Sequence, residues 1–140
     1  MGRISRFAIM WTTVIGLLVA VGGEANATPN TILRALDQAT QRCLDSNAAG
    51  SVYTLPCNGG SNQKWNFSGS LAINVATGRC LDSNAAGSVY TLPCNGGNNQ
   101  NWYYVGNTNR DAQTNLCLDS NSSGNVYTLG CNGGNNQNWI

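Results

Sequence analysis

Residues 43–60 read CLDSNAAGSVYTLPCNGG, and residues 80–97 repeat them letter for letter. A third version, CLDSNSSGNVYTLGCNGG, occupies residues 117–134, so the block recurs every 37 residues. A period of that size marks one supersecondary unit used three times. Any site built by one unit is then expected three times over.

Inside the block, Val52-Tyr-Thr-Leu55 is a run of β-formers between turn residues. Cys43-Leu-Asp45 precedes it, with a turn around Ala48-Ala49-Gly50 between. Asn58-Gly59-Gly60 follows, a turn signal because asparagine and glycine tolerate positive φ. Gln63-x-Trp65 closes the unit and returns as Gln100-x-Trp102 and Gln137-x-Trp139. No helical period runs through any of these segments, so the reading is all-β.

The spacers decide between an open array and a ring. Fourteen residues separate Trp65 from Cys80, and fourteen separate Trp102 from Cys117. Residues 28–42 stand ahead of Cys43, and Ile140 alone follows Trp139. An open solenoid needs distinct caps. A ring in which the N-terminal segment completes the third unit needs none. The expected architecture is an all-β β-trefoil of three 37-residue repeats with pseudo-threefold symmetry, in modules of about 28–66, 67–103 and 104–140. Its core candidates are Leu44, Val52, Thr54 and Trp65, then Leu81, Val89, Thr91 and Trp102, then Leu118, Val126, Thr128 and Trp139. Each tryptophan stands at a fixed distance from a glutamine, the expected partner of its buried N–H. Thr108-Asn-Arg-Asp111 reads poorly as a buried strand.

Residues 1–27 have the form of a signal peptide. Arg3 and Arg6 precede an apolar run from Phe7 to Val21, and Ala25-Asn26-Ala27 offers a cleavage site. The run is shorter than the ~18–20 residues of a spanning helix. A secreted, extracellular protein beginning at Thr28 is expected, without membrane insertion. Its five basic and five acidic side chains balance, which argues against nucleic acid or an acidic membrane as partner.

The six cysteines would then sit in an oxidising compartment. Repetition selects, from the many pairings six cysteines allow, Cys43–Cys57, Cys80–Cys94 and Cys117–Cys131. No metal or other cofactor is expected: the chain lacks histidine and any Cys-x-x-Cys. Asp45-x-Asn47-x-x-Gly50 starts like a calcium loop, but Ala49 and Pro56 stand where further ligands belong. Without histidine there is no nucleophile–base dyad of the usual kind. The mature chain has no glutamate, and its motif aspartates fall one per unit, with Asp37 and Asp111 in variable spacers. An enzyme is not expected.

With Cys43 and Cys57 directly opposed across an antiparallel pair, Asp45 faces Leu55 and Asn47 faces Tyr53. All four then share the outward face that carries the disulfide, away from Leu44, Val52 and Thr54. A carboxylate that accepts two hydroxyl hydrogen bonds, a carboxamide that gives and accepts, and an aromatic or leucyl face for C–H edges suit a neutral sugar. The competing role for Asp45 is to satisfy turn amides.

The Cys-Leu-Asp block, the Gln-x-Trp closure and the threefold count together resemble the ricin-B-type trefoil lectins, also seen as family 13 carbohydrate-binding modules. Within that family the closest resemblance is to the actinohivin-like lectins, three-module proteins that take the mannose ends of high-mannose glycans. The shared wording stands at Leu44–Asn47, Gly50–Pro56, Asn58–Gly60 and Gln63–Trp65. The resemblance implies one mannose pocket per module. The first would use Asp45, Tyr53, Leu55 and Asn58; the second Asp82, Tyr90, Leu92 and Asn95; the third Asp119, Tyr127, Leu129 and Asn132. It implies a monomer that engages glycans or glycoproteins multivalently. Two departures bear on specificity: Asn62, Asn99 and Asn136 stand where actinohivin-like modules carry a tyrosine, and Gly130 replaces a proline in the third module. The alternatives are a galactose- or xylan-type binding module and a trefoil protease inhibitor or other protein-interaction domain.

Overall fold

The structure is a computed structural model that describes residues 31–140. The expected signal peptide and its cleavage point lie outside the described residues. Among the described residues no helix is long and apolar enough to cross a membrane. The strands are β1 (Thr31–Leu33), β2 (Cys43–Ser46), β3 (Val52–Leu55), β4 (Trp65–Ser68), β5 (Leu71–Asn74), β6 (Cys80–Ser83), β7 (Val89–Leu92), β8 (Trp102–Val105), β9 (Thr108–Asp111), β10 (Cys117–Ser120) and β11 (Val126–Leu129).

Each repeated block folds as an antiparallel hairpin: β2 with β3, β6 with β7, β10 with β11. In the first, the Asn47 side chain accepts the Ser51 amide across the turn, and Gly50 takes a φ of 95°. Only glycine fits there. A Cβ on Gly50 would stand 2.8 Å from the Thr91 carbonyl oxygen of the next module. That closeness lets the three hairpins clasp in a ring: Thr91 N–H donates to Gly50 O, Thr128 N–H to Gly87 O and Thr54 N–H to Gly124 O, each at 2.9 Å.

The spacers form a second layer, in which β4 pairs with both β1 and β5, and β8 pairs with β9. Leu36 and Ile140 exchange two backbone hydrogen bonds, and Asp37 bridges Trp139. The N-terminal segment therefore completes the third unit, and the molecule is a β-trefoil. Its core holds Leu44, Trp65, Leu81, Trp102, Leu118 and Trp139 with Val89, while Val52 and Val126 pack on it half-buried. Thr54, Thr91 and Thr128 are buried beside them. All three expected disulfides form, each with a Cα–Cα distance of 5.1 Å that suits the bond. The indole N–H groups do not seek glutamine. They donate to the Leu44, Leu81 and Leu118 carbonyls, each at 3.0 Å.

Thr108–Asp111 corrects the sequence reading, for it is a regular strand with Asn109 and Asp111 buried. Asp111 is tolerated inside because Gln113 and Thr114 give it their amides and Ser83 its hydroxyl. Asp37 is held the same way by Ala39, Thr40 and Ser120. So the spacer aspartates are a recurring structural position, occupied in the second spacer by Asn74. There Ser46 turns instead to the Thr91 hydroxyl, at 3.2 Å.

This position makes one prediction. The buried Thr128 hydroxyl has no partner among the described residues. Arg42 and Arg79 donate to its counterparts Thr54 and Thr91, but Leu116 stands in their place in the third module. Asp111→Asn would free Ser83 to reach Thr128 as Ser46 reaches Thr91. It also removes a carboxyl whose pKa burial pushes up, against the pull of its three hydrogen bonds. A carboxyl raised in the folded state favours folding at low pH, and that advantage is lost as pH rises through the raised value. The variant is therefore expected to gain about 0.5–1.5 kcal/mol at pH 7. Thermal melts across pH should show the gain shrinking in acid, and a loss at pH 7 would refute it.

Candidate functional site

The hairpin register differs from the expected one by two residues. Cys43 opposes Leu55 and Asp45 opposes Tyr53. The disulfide runs diagonally from Cys43 to Cys57, two positions past its cross-strand partner, so the cysteines are not themselves opposed. An even shift keeps the faces, because side chains alternate with period two. Asp45, Tyr53 and Leu55 still share the face of Cys43, but Asn47 lies in the turn.

The face is also less open than alternation implies. Asp45, Asp82 and Asp119 are only 3%, 3% and 4% exposed, whereas Leu55, Leu92 and Leu129 are 38%, 37% and 47% exposed. Each aspartate thus forms the floor of a shallow site rimmed by a half-buried tyrosine and an exposed leucine. Burial first, then the Asp45 carboxylate, pushes the Tyr53 pKa up, and Tyr90 and Tyr127 follow with Asp82 and Asp119. Each phenol is therefore a neutral hydroxyl at physiological pH, able to donate and accept.

Gln63 organises this site, a role the sequence reading missed by assigning it to the tryptophan. Its Nε2 donates to Asp45 Oδ2 and to the Pro56 carbonyl, both at 3.1 Å. Its Oε1 accepts the Asn58 amide at 2.8 Å. One buried side chain thereby ties the floor to the loop beyond the disulfide. Gln100 and Gln137 repeat the arrangement on Asp82 with Asn95 and on Asp119 with Asn132. The available signal was the fixed Asp-to-Gln interval of 18 in every copy. Asn58 is exposed and its Oδ1 accepts the Gly60 amide at 2.8 Å, so its carboxamide N–H2 is the part left to donate.

Asp45 does not satisfy turn amides; Asn47 does. The asparagines that the resemblance sets in place of an aromatic are committed to the backbone: Asn62, Asn99 and Asn136 donate to the Ser46, Ser83 and Ser120 carbonyls at 2.7, 2.6 and 2.7 Å. They brace the hairpin. Gly130 keeps the bond its proline counterparts make, since Gln137 donates to its carbonyl at 3.1 Å. What changes is the rim, where Leu129 is the most exposed of the three leucines. No group of metal-ligating side chains occurs among the described residues.

What each site offers is a carboxylate with one oxygen fixed by glutamine, a neutral phenol, a carboxamide donor and an apolar edge. That set can take paired hydroxyls and a C–H face together.

A profile of the ricin-type beta-trefoil lectin domain matches residues 31–139. No curated protein matches the sequence significantly. Among solved structures, the designed threefold-symmetric protein ThreeFoil is 25% identical, with a TM-score of 0.67, 77% of this chain covered and 95% of that one. The C-terminal half of an earthworm R-type lectin, solved in complex with GalNAc, is 21% identical with a TM-score of 0.69 and coverages of 80% and 97%. The β-trefoil lectin of a Vibrio vulnificus hemolysin/cytolysin, solved with N-acetyl-D-lactosamine, is 23% identical with a TM-score of 0.71 and coverages of 81% and 94%.

Proposed function

The chain belongs to the ricin-type β-trefoil lectin family, and from that premise we propose that it is a secreted, monomeric lectin with three equivalent sugar sites that take mannose ends of high-mannose glycans. It binds and does no chemistry. The observation that carries the reading is the threefold recurrence of one buried aspartate, latched by glutamine, beneath a tyrosine–leucine rim. In each module the aspartate accepts vicinal hydroxyls, the tyrosine and leucine cover the sugar's C–H edge, and the asparagine closes over it. The leucine at the rim, in place of an aromatic platform, supports mannose over galactose. The three disulfides support an extracellular setting.

Galactose or GalNAc is the second reading, favoured by what the earthworm and Vibrio lectins were solved with. The deciding experiment is a glycan array read with the oxidised protein, with free mannose and galactose as competitors. Binding to high-mannose glycans displaced by mannose is expected. Displacement by galactose alone would move the specificity, and silence from folded protein would overturn the lectin reading.

A further inference from the structure

The charges of this molecule are unequally distributed between inside and outside. Asp37, Asp45, Asp82, Asp111 and Asp119 are all buried, at most 4% exposed. Arg34 and Lys64 are exposed. The exposed charged side chains of the described residues are therefore cationic, although the sequence is close to neutral.

These two cations come together at one groove of the first module. The β1–β4 pairing ends on Leu33 and Trp65, and Arg34 and Lys64 are the next residues beyond that pair on the two segments. Both line a groove of about 520 Å³ that runs beside the Cys43–Cys57 disulfide, with Ile32 and Leu33 on one wall and Gly59 and Gly60 on the other. Like charges that share a groove repel. No aspartate among the described residues is exposed to relieve them. The Gly59 amide makes no hydrogen bond among the described residues, and a Cβ on Gly59 would meet nothing within 4 Å. The groove thus has two cations, a spare backbone donor and an apolar wall. It belongs to one module only: Leu71 and Asn101 occupy the equivalent positions in the second, Thr108 and Asn138 in the third.

We propose that this groove is an anion subsite of the first module, holding a phosphate, sulfate or carboxylate carried by a glycan whose neutral end lies at Asp45. The proposal rests on the lectin reading, and the connection is one loop: Asn58 rims the sugar site while Gly59 and Gly60 line the groove. The anion neutralises the Arg34–Lys64 repulsion and takes charge-assisted hydrogen bonds from both. The first site is thereby set apart from its two near-identical copies, preferring an acidic glycan where they take neutral ones.

The test is calorimetric titration of the oxidised protein and of an Arg34→Leu, Lys64→Asn variant, which carries the second module's residues. Mannose 6-phosphate is compared with mannose, galactose 6-sulfate with galactose and glucuronate with glucose, so that the arms identify the anion. In at least one arm the acidic sugar is expected to bind roughly fivefold tighter, two exposed ion pairs being worth that much. The advantage should vanish in the variant and in about 0.5 M NaCl, where such pairs are screened. Neutral-sugar affinity should not change. Equal affinity in every arm overturns the proposal and leaves the lectin reading standing. If no sugar binds, the lectin reading fails, and inorganic phosphate alone judges the groove. Amide shifts at Gly59 and Gly60 that disappear in the variant support the anion site, and their absence overturns it.

Discussion

A chain carrying Asp45→Asn, Asp82→Asn and Asp119→Asn together is expected to lose binding to a dense glycan surface by at least a hundredfold while keeping its fold. Asparagine still offers an oxygen to the Gln63, Gln100 and Gln137 amides, which now bond Asp45, Asp82 and Asp119 at 3.1, 3.0 and 2.9 Å. The loop latch therefore survives. What is lost is the charge and the second acceptor oxygen, and hydrogen bonds to a charged group contribute about 1.5–3 kcal/mol each. Losing all three sites also removes avidity, on the order of 10²–10⁴ where a glycan surface spans them. Surface plasmon resonance on immobilised glycan, with a thermal melt of the same sample, separates the two effects. Unchanged binding would remove these aspartates from the sites. Unfolding of the asparagine variant would make their role structural. Alanine is the informative contrast, because it strands a buried glutamine donor and should cost about 1–3 kcal/mol in stability as well.

Trp102→Ala is expected to unfold the protein or bring it close to unfolding. Trp102 is 1% exposed at the centre of the core cluster, and its indole N–H satisfies the Leu81 carbonyl at 3.0 Å. Removing the ring leaves a cavity and an unpaired carbonyl, a loss of about 3–5 kcal/mol for the side chain alone. Small domains have on the order of 5–15 kcal/mol in total. Trp102→Phe keeps most of the volume and loses the N–H, so it should cost less, about 1–3 kcal/mol. Urea titration under oxidising conditions measures both. A midpoint for the alanine variant close to that of the wild type would mean that the disulfides, not the tryptophans, hold the trefoil together.

The faces of the hairpins were legible before the structure because alternation is a local property. Asp45, Tyr53 and Leu55 fall on one side whatever the register, provided the shift is even. The register itself was not legible, since a disulfide can join diagonal positions as readily as opposed ones, and Cys43–Cys57 is diagonal. Gln63 was visible as a repeated letter, but its partner was not. A side chain that bonds Asp45, the Pro56 carbonyl and the Asn58 amide at once depends on how the loop folds back. Asn62 misled in the opposite direction: a polar residue where the actinohivin-like resemblance implies an aromatic looks like a rim change, yet it is bonded to the Ser46 carbonyl.

The sequence by itself determined the number of units, the cysteine pairs, the inward tryptophans and the closure of the third unit by the N-terminal segment. These follow from period, spacing and apolar pattern, which survive any detail of packing. Only the tertiary structure decided that Asp37 and Asp111 are interior residues, because the hydroxyls that satisfy them come from Ser120 and Ser83, 83 and 28 residues away. It alone brought Arg34 and Lys64 to one groove, beyond the strand pairing that Leu33 and Trp65 close. Burying a charge is permitted only by its partners, and for Asp37 and Asp111 the hydroxyl among them comes from a distant part of the chain.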